Sequence, residues 1–350
     1  MKKFCIYILI AVLLCFSICM GGCTENQIDD FSTSLNQTNE VKDTENTTET
    51  YENSVSSDIA TDVSIPKSEK IDIVEYVNPF SVSEYNYLNE KQQIAFVVLC
   101  EALNDIIKNG PTPYKQYKFP EPIPWFDYKV SRNLLEVNYT AIGNFVSNLW
   151  CEKNSYVEEN SGVEYVDGFY LYGYDIDYLE EEYSKYKELN SKADYILSSL
   201  EYDGTDYGKA YSIAKWMVNN ISYPEDSEHR LSEMHNTAYT ALMTHEAVCD
   251  GYAKAFDFLC KKAGLETIYI TTSKISHAWN MIRLDGKWYH IDVTWMDSEN
   301  NFYKYFMMSD SICYSTGHSK WEYYWDQKNN IKVSPTADSE DLYFYANSQK

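Results

Sequence analysis

HAWNMIRLDGKWYHIDVTW, residues 277–295, is the stretch that decides the fold of this chain, because it predicts a β-hairpin. An Asp-Gly pair lies between two runs of alternating apolar residues, and both residues accept the positive φ of a two-residue turn. Pairing outward from that turn sets Trp279 opposite Asp292 and His277 opposite Thr294. His277 and Asp292 are then diagonal neighbours on one face, with Cβ atoms about 7 Å apart. The hairpin therefore places an acid where it can orient an imidazole.

A helix that begins at a cysteine precedes the hairpin. In CDGYAKAFDFLCKKAG, residues 249–264, apolar side chains recur at helical spacing, and Gly264 is a natural C-cap. A strand is predicted over Leu265–Thr272, directly before the hairpin. The order of helix, strand, strand, strand predicts an α+β fold in which the cysteine helix packs on an antiparallel sheet.

Cys249, His277 and Asp292 together suit nucleophilic acyl transfer. A cysteine at a helix N-terminus lies beside free N–H groups and the positive end of the helix dipole, which favour a thiolate. The imidazole can hold the proton and return it to a leaving amine, while the carboxylate fixes its tautomer. The backbone N–H of Cys249 and the hydroxyl of Tyr239 are candidate oxyanion donors. Tyr239 has an equally good alternative, packing at the start of the cysteine helix.

Two tryptophans flank the predicted site, and they are candidates for lining a substrate cleft. They are Trp279 and Trp295, and their alternative is core packing. The remaining histidines are predicted to pack in the fold or to face solvent: His229, His235, His245, His290 and His318. Contact with the site entrance is an alternative for His245, which lies four residues before Cys249. The 33 tyrosines leave a carbohydrate-stacking surface as a weaker alternative.

The sequence around these residues resembles the transglutaminase-like superfamily. The motifs are AVCDGYAKAF (247–256), HAWN (277–280) and DGKWYHIDVTW (285–295), which fall where that superfamily has its catalytic cysteine, histidine and aspartate. The resemblance implies a papain-like core with Cys249 as nucleophile, His277 as base and Asp292 as orienting acid. It is specific over residues 205–295 and weaker over residues 301–321.

Two positions depart from the superfamily pattern. His245-Glu246-Ala247 stands where Gly-Lys-Gly is common, and Val293 stands where proline is common after the aspartate. Neither change removes a reacting group, although lost glycines alter how closely a substrate backbone can approach.

The resemblance implies an enzyme that acts on peptide or protein amides through a thioester at Cys249, by hydrolysis or by amide exchange. We expect that this chemistry needs no metal and no organic cofactor. The resemblance does not carry the calcium dependence of animal transglutaminases, because no acidic loop here has the spacing of a calcium site. The alternative is a catalytically inactive surface protein that keeps the fold and binds a wall polymer or a protein partner.

The N-terminus predicts export. Residues 1–22 have the charged start and apolar run of a signal peptide, and Met20-Gly21-Gly22-Cys23 resembles the lipobox of bacterial lipoproteins. Cys23 is therefore expected to carry a lipid that anchors the protein on the outer face of the bacterial cell membrane. The alternative is a signal peptide cut nearby without lipidation, or an uncleaved anchor. Residues 23–70 are polar and predict a disordered tether.

The folded part is predicted to have three regions: a mostly helical lead-in (71–200), the catalytic domain (201–325) and a C-terminal strand or tail (326–350). Within the lead-in, the sequence predicts a helix over residues 84–109 and prolines that break any regular element from residue 111 to 125. Alternation over residues 126–180 suggests strands.

Charge and cysteine content exclude some partners. The net charge of −24 argues against nucleic-acid binding and against electrostatic docking to anionic lipid. After signal removal and lipidation five cysteines remain, an odd number, so at least one thiol is free or pairs between chains. The pattern leaves the oligomeric state and the pairing of the other four open: Cys100, Cys151, Cys260 and Cys313.

Overall fold

A computed structural model describes residues 68–151, 161–173, 175–225, 235–297, 301–322 and 335–349. All of them belong to one compact unit within Asp62–Lys350. The predicted signal peptide and most of the predicted tether lie outside the described residues. Within the described part of the chain, none of the helices has the length and apolar character needed to cross a bilayer.

The described residues form ten α-helices and eight strands. The helices are α1 (Glu90–Asn109), α2 (Trp125–Asn138), α3 (Gly143–Ser147), α4 (Ile176–Ser199), α5 (Asp206–Asn220), α6 (Ala238–Thr244), α7 (Cys249–Lys262), α8 (Val293–Met296), α9 (Asp310–Ser315) and α10 (Asp341–Ser348). The strands are β1 (Glu69–Lys70), β2 (Gln116–Pro124), β3 (Leu149–Trp150), β4 (Tyr165–Leu171), β5 (Glu201–Tyr202), β6 (Glu266–Thr272), β7 (His277–Leu284) and β8 (Lys287–Ile291).

The hairpin forms in the predicted register. Strands β6, β7 and β8 make an antiparallel sheet, and Met281 pairs with His290 across the turn. Asp285 and Gly286 have φ values of 49° and 79°, the two positive angles that a type I′ turn requires. The predicted strand before the hairpin is confirmed as β6, with a start one residue later.

The predicted cysteine helix is α7, and it packs on this sheet. Asn280 of β7 donates a hydrogen bond to the Ala253 carbonyl at 3.1 Å. Gly264, just beyond the helix, has a φ of 79°, which suits the left-handed residue that ends many helices. The α+β arrangement expected from the order of elements is therefore present.

The other face of the sheet is covered by the segment that follows α8. Met308 exchanges two backbone hydrogen bonds with His290 on the β8 edge, at 2.8 and 2.9 Å. Glu322 pairs in the same way with Thr271 of β6, on the opposite edge. Between these points the chain crosses the face that carries His277. We refer to residues 308–322 as the cover segment.

The lead-in packs against the cysteine helix. Lys262 of α7 is 4% exposed, and its Nζ contacts Asp194 and Asn190 of α4 at 2.6 and 2.5 Å. The Tyr76 ring meets Phe258 of α7 edge-on at 4.5 Å. Helices before and after residue 200 thus share one core, and the boundary drawn there from sequence stays a prediction.

Prolines do not break the segment before residue 125. Residues 116–124 form strand β2, which pairs with β4 on one side only and shifts register between Lys118 and Ile123. An edge strand with a bulge tolerates proline because its missing N–H would face solvent. The expectation of an irregular segment was wrong for this reason.

Two further segments differ from expectation. Residues 125–138 form helix α2, which buries one face including Tyr128, Leu134 and Leu135, where strands were expected. The alternation predicted a strand correctly only later, at β4. Near the C-terminus, residues 341–348 form helix α10, so the expected strand or tail there was wrong.

Candidate active site

His277 and Asp292 meet at the end of the hairpin. The Nε2 atom of His277 lies 2.7 Å from Oδ2 of Asp292, and both side chains are buried. Strand β8 ends at Ile291, so Asp292 lies just beyond the ladder and caps α8 through a hydrogen bond from the Trp295 N–H to Oδ1, at 3.1 Å. The predicted proximity is therefore present, although the second strand stops earlier than the pattern suggested.

Cys249 completes the group. It is the first residue of α7, it is half-buried, and it makes a side-chain hydrogen bond with His277. Since Nε2 of His277 is bound to Asp292, Nδ1 is the nitrogen left to face the thiol. The first N–H groups of an α-helix lack intrahelical acceptors, which supplies donors beside the sulfur. The structure thus brings the three residues of the sequence-predicted triad together.

The environment favours a charged imidazole. Burial would lower the pKa of His277, but hydrogen bonds to Asp292 and to Cys249 outweigh it and raise the pKa to about 9. Burial would likewise raise the pKa of Asp292, but the N–H donors of His277 and His318 hold it below its usual range. Asp292 is therefore an anion at neutral pH, paired with an imidazolium.

His318 is a site residue that sequence reasoning missed. Its Nε2 lies 2.9 Å from the same Oδ2 atom of Asp292, and it is buried. Its only sequence signal was the HSKW motif at residues 318–321, in the weaker part of the superfamily resemblance. The structural role first expected for this histidine did not include contact with the triad.

Tryptophans lie on both sides of His277. Trp295 stacks at 4.8 Å between ring centroids with 16° between planes, and Trp279 stacks at 5.7 Å with 21°. Trp295 lines the cavity beside His277, and its role at a substrate cleft stays a prediction, whereas Trp279 is 1% exposed. A cleft-lining role for Trp279 was wrong, because the cover segment closes its face of the sheet. The alternative of core packing describes it.

The cleft beside His277 has a volume of about 450 Å³. It is lined by Tyr223, His277, Thr294, Trp295 and Asp297. Cavities of a few hundred Å³ and upward are typical of sites that take small molecules or one side chain. On its wall, the Tyr252 hydroxyl donates to Asp297 at 2.8 Å.

Tyr239 is placed differently from its expected oxyanion role. Its hydroxyl donates to Oε2 of Glu188 at 2.7 Å. A phenol has one proton to donate, and that proton is directed at the carboxylate. The oxyanion role of Tyr239 stays a prediction without a supporting contact, and the N-terminal N–H groups of α7 are the donors nearest the thiol.

One set of metal-ligating side chains comes together among the described residues, namely His277, Asp292 and His318. Oδ2 lies 2.7 and 2.9 Å from the two Nε2 atoms. Ligands about 2.1 Å from a tetrahedral zinc ion are separated by about 3.4 Å. The observed distances are those of hydrogen bonds, so the set fits a hydrogen-bonded site better than a metal centre. The expected lack of a cofactor stays a prediction.

His290 packs beneath the site. Its Nδ1 accepts a hydrogen bond from Nε1 of Trp279 at 3.1 Å, and its Nε2 lies 2.9 Å from Asp310. Burial lowers the pKa of His290, which favours the neutral ring that this pair of contacts requires. The packing role expected for His290 matches this position. The Nδ1 atom of His245 lies 2.7 Å from the Asn220 carbonyl oxygen.

The other described cysteines are reduced and buried, in contrast to Cys249. They are Cys100, Cys151, Cys260 and Cys313. Burial raises the pKa of three of these thiols: Cys100, Cys260 and Cys313. Buried thiols of this kind are chemically inert.

Fold and site together define an α+β domain in which a cysteine, a histidine and an aspartate lie in one group. Residues 192–293 match the family model of the transglutaminase-like superfamily. The chain therefore carries a transglutaminase-like domain, which includes α7 and the hairpin and ends one residue after Asp292.

Two curated proteins are similar to part of the chain. Kyphoscoliosis peptidase of Mus musculus is 25% identical over 110 residues, which cover 27% of this chain and 17% of that protein. The Homo sapiens protein of the same name is 25% identical over 128 residues, covering 32% and 19%. The chain thus spans less than a fifth of the length of either relative.

Two solved structures overlap parts of the chain. One is a candidate cysteine protease from Cytophaga hutchinsonii, with 21% identity, a TM-score of 0.23, and coverage of 33% of this chain and 38% of that one. The other is a TGase with 13% identity, a TM-score of 0.29, and coverage of 57% and 59%. These low TM-scores add nothing to the assignment.

Proposed function

We propose that this protein is a cysteine acyl-transfer enzyme that acts on peptide or protein amides. The observation that carries the proposal is the hydrogen-bonded series of Cys249, His277 and Asp292, with the thiol at a helix N-terminus and His277 on the wall of a cleft. A nucleophile, a base and a group that orients the base are the parts that acyl transfer through a thioester requires.

The chemistry follows from which atom holds each proton. The Cys249 sulfur attacks the amide carbonyl while the proton resides on Nδ1 of His277, and the oxyanion is met by N–H groups at the start of α7. As the C–N bond breaks, His277 gives that proton to the leaving amine. The thioester is then attacked by water, which yields an acid, or by a second amine, which yields a new amide. In both cases the attacking group returns a proton to His277.

A peptide or protein substrate is supported by two observations. The curated relatives are named as peptidases, although they match over less than a fifth of their length. The cleft beside His277 is lined by aromatic and polar side chains, which suits one side chain of a longer polymer.

Thiol labelling tests the proposal directly. Cys249 should react with iodoacetamide at pH 6 faster than free cysteine, because the imidazolium beside it favours the thiolate. Cys249→Ala serves as the control for labelling elsewhere in the chain. If Cys249 reacts no faster than free cysteine, and Cys249→Ala leaves every phenotype intact, the inactive surface-binding alternative replaces the enzyme.

Hydrolysis and amide exchange are separated with casein as the acyl donor. Transfer incorporates a fluorescent primary amine into the protein, whereas hydrolysis releases ammonia or new amino termini without incorporation. Cys249→Ala should abolish either signal.

The proposed location is the outer face of the bacterial cell membrane, through a lipid on Cys23. The support is the sequence alone, namely the apolar run that ends at Gly22-Cys23. Globomycin, which blocks lipoprotein signal cleavage, should make the full-length precursor accumulate. Cys23→Ser should do the same without the drug, and normal processing of that variant would contradict the anchor.

A further inference from the structure

The cover segment carries an imidazole to the far side of the catalytic carboxylate. Asp292 accepts hydrogen bonds on one oxygen, Oδ2, from His277 at 2.7 Å and from His318 at 2.9 Å. Its other oxygen accepts the Trp295 N–H. Asp292 and the side chain of His318 are both fully buried. A buried carboxylate is costly unless donors surround it, and His318 supplies one of its three.

Local structure holds the His318 ring in place. Helix α9 ends at Ser315, Gly317 turns the chain with a φ of 113°, and the His318 N–H bonds the Cys313 carbonyl at 3.2 Å. Its ring packs on Trp295 at 4.1 Å and on Trp279 at 4.8 Å between centroids. A ring fixed on two sides presents its Nε2 in one direction, toward Asp292.

We propose that His318 is a positioning residue of the acyl-transfer site. It donates from Nε2 to Asp292, and thereby sets the direction of that carboxylate and how much of its negative charge is available to His277. The inference rests on the proposed function for its catalytic meaning, while the hydrogen bond can be tested without any substrate. His318 is not among the residues that line the cleft, and its polar contact with the triad is to Asp292.

Sharing one oxygen between two donors has an electrostatic consequence. Negative charge on Oδ2 that stabilises the His318 N–H is less available to hold the proton of His277. The titratable groups that face His277 are Cys249 from α7, Asp292, His318 and the cleft residues Tyr223 and Asp297. Those that face His318 and Asp292 are His277, His290 and Cys313. Of these, His318 is the second N–H donor to Asp292.

A matched pair of substitutions separates the effect of losing the His318 N–H donor from the effect of changing the size of the side chain. His318→Gln keeps an N–H donor, and His318→Met is similar in size without one. The titration midpoint of His277 is followed by ¹⁵N NMR of histidine-labelled protein. We expect His318→Met to move the midpoint of His277 to higher pH, by roughly half a pH unit or more. In that variant Oδ2 of Asp292 accepts a hydrogen bond from His277 and no longer from residue 318. His318→Gln should leave the midpoint close to that of the unsubstituted protein.

Each outcome decides the proposal. An unchanged midpoint in His318→Met overturns it, and so does an equal change in both variants, since that would reflect lost ring packing. If His318→Met does not fold, two results remain decisive. His318→Gln must keep the midpoint, and Nε2 of His318 in the unsubstituted protein must carry a proton between pH 6 and 8. An unprotonated Nε2 cannot donate to Asp292 and would overturn the proposal.

Failure of the proposed function is distinguishable from failure of this inference. Slow iodoacetamide labelling of Cys249 in the unsubstituted protein would contradict the proposed enzyme activity and would leave the measurements on the histidines valid. Fast labelling with an unchanged His277 midpoint would remove only the role of His318.

Discussion

Asp292 meets His277 at 2.7 Å from the far end of a hairpin, one residue beyond the last paired residue of β8. Because the strand stops at Ile291, Asp292 leaves the ladder and caps α8 while its second oxygen is free to face the imidazole. A carboxylate that both ends a strand and starts a helix is held by the backbone on one side. Its direction toward His277 is therefore part of the fold.

Asp292→Asn should cost most of the activity. Asparagine keeps the size and can still cap α8, but it removes the negative charge that orients and stabilises the imidazolium. In a Cys-His-Asp arrangement we expect a loss on the order of 10⁴-fold in kcat, in keeping with the corresponding loss in serine protease triads. The rate of amide cleavage or amine incorporation with casein measures it.

The control for Asp292→Asn is the integrity of the fold and of the thiol surroundings. Circular dichroism and the accessibility of Cys249 in denaturant-free buffer should match the unsubstituted protein. An unchanged rate would mean that Asp292 does not orient His277.

Activity should fall above about pH 9. His277 delivers its proton to the leaving amine, and its pKa is raised to about 9 by Asp292 and Cys249 against the effect of burial. Above that pH the proton is lost, so kcat/KM should decline about tenfold per pH unit. A decline that begins near pH 6.5 would show that the pairing with Asp292 is absent in solution.

The same pKa sets a window for stability. A histidine whose pKa is higher in the folded state than in the unfolded one stabilises the fold fully below pH 6.5 and loses that contribution as the pH rises through about 9. Urea unfolding at pH 6 and pH 9.5 should therefore show a loss on the order of 1–3 kcal/mol. Asp292→Asn should lower the pKa of His277 toward its ordinary value and so reduce the stability difference between the two pH values. An equal difference in both proteins would contradict the pairing of His277 with Asp292.

Gly251→Ala should disturb the start of the cysteine helix. A Cβ at this position would lie 2.6 Å from the His235 carbonyl oxygen and 2.9 Å from Cβ of Ala247. Backbone that close cannot rotate away, so we expect about 1–3 kcal/mol of lost stability and slower labelling of Cys249. Gly143→Ala is the matched control, since a Cβ there meets nothing within 4 Å. Equal stability of the two variants in urea unfolding would contradict this reason for the glycine.

The parts of the site that sequence could predict are local. Asp285 and Gly286 specify their own turn, and once the turn is known the register follows residue by residue as far as Asn280 and Ile291. The helix that begins at Cys249 is likewise set by its own apolar spacing and by Gly264. Contact between the thiol and the imidazole then depends on how that helix packs, for which the superfamily resemblance supplied the expectation.

The parts that sequence could not predict depend on distant segments. His318 reaches Asp292 from 26 residues further along the chain, and nothing in the periodicity of either segment relates the two. Trp279 was expected at a cleft because it flanks the predicted triad, and the cover segment that closes its face of the sheet comes from residues 308–322. Strand β2 was missed because proline opposes strands in general, whereas its position at a sheet edge removes the objection.

Tyr239→Phe should leave the chemistry almost unchanged. Its hydroxyl donates to Glu188 at 2.7 Å, on helix α4, and so holds two helices together instead of facing the thioester. Loss of an oxyanion donor costs about a hundredfold to a thousandfold in kcat, whereas loss of a half-exposed structural hydrogen bond costs about 0.5–1.5 kcal/mol of stability. We therefore expect a rate within about threefold of the unsubstituted enzyme and a small decrease in the free energy of unfolding. Glu188→Gln is the matched variant, because it weakens the same hydrogen bond from the other side and should lower stability similarly. A hundredfold loss of kcat in Tyr239→Phe, with Glu188→Gln fully active, would instead restore Tyr239 as an oxyanion donor and require α6 to move when substrate binds.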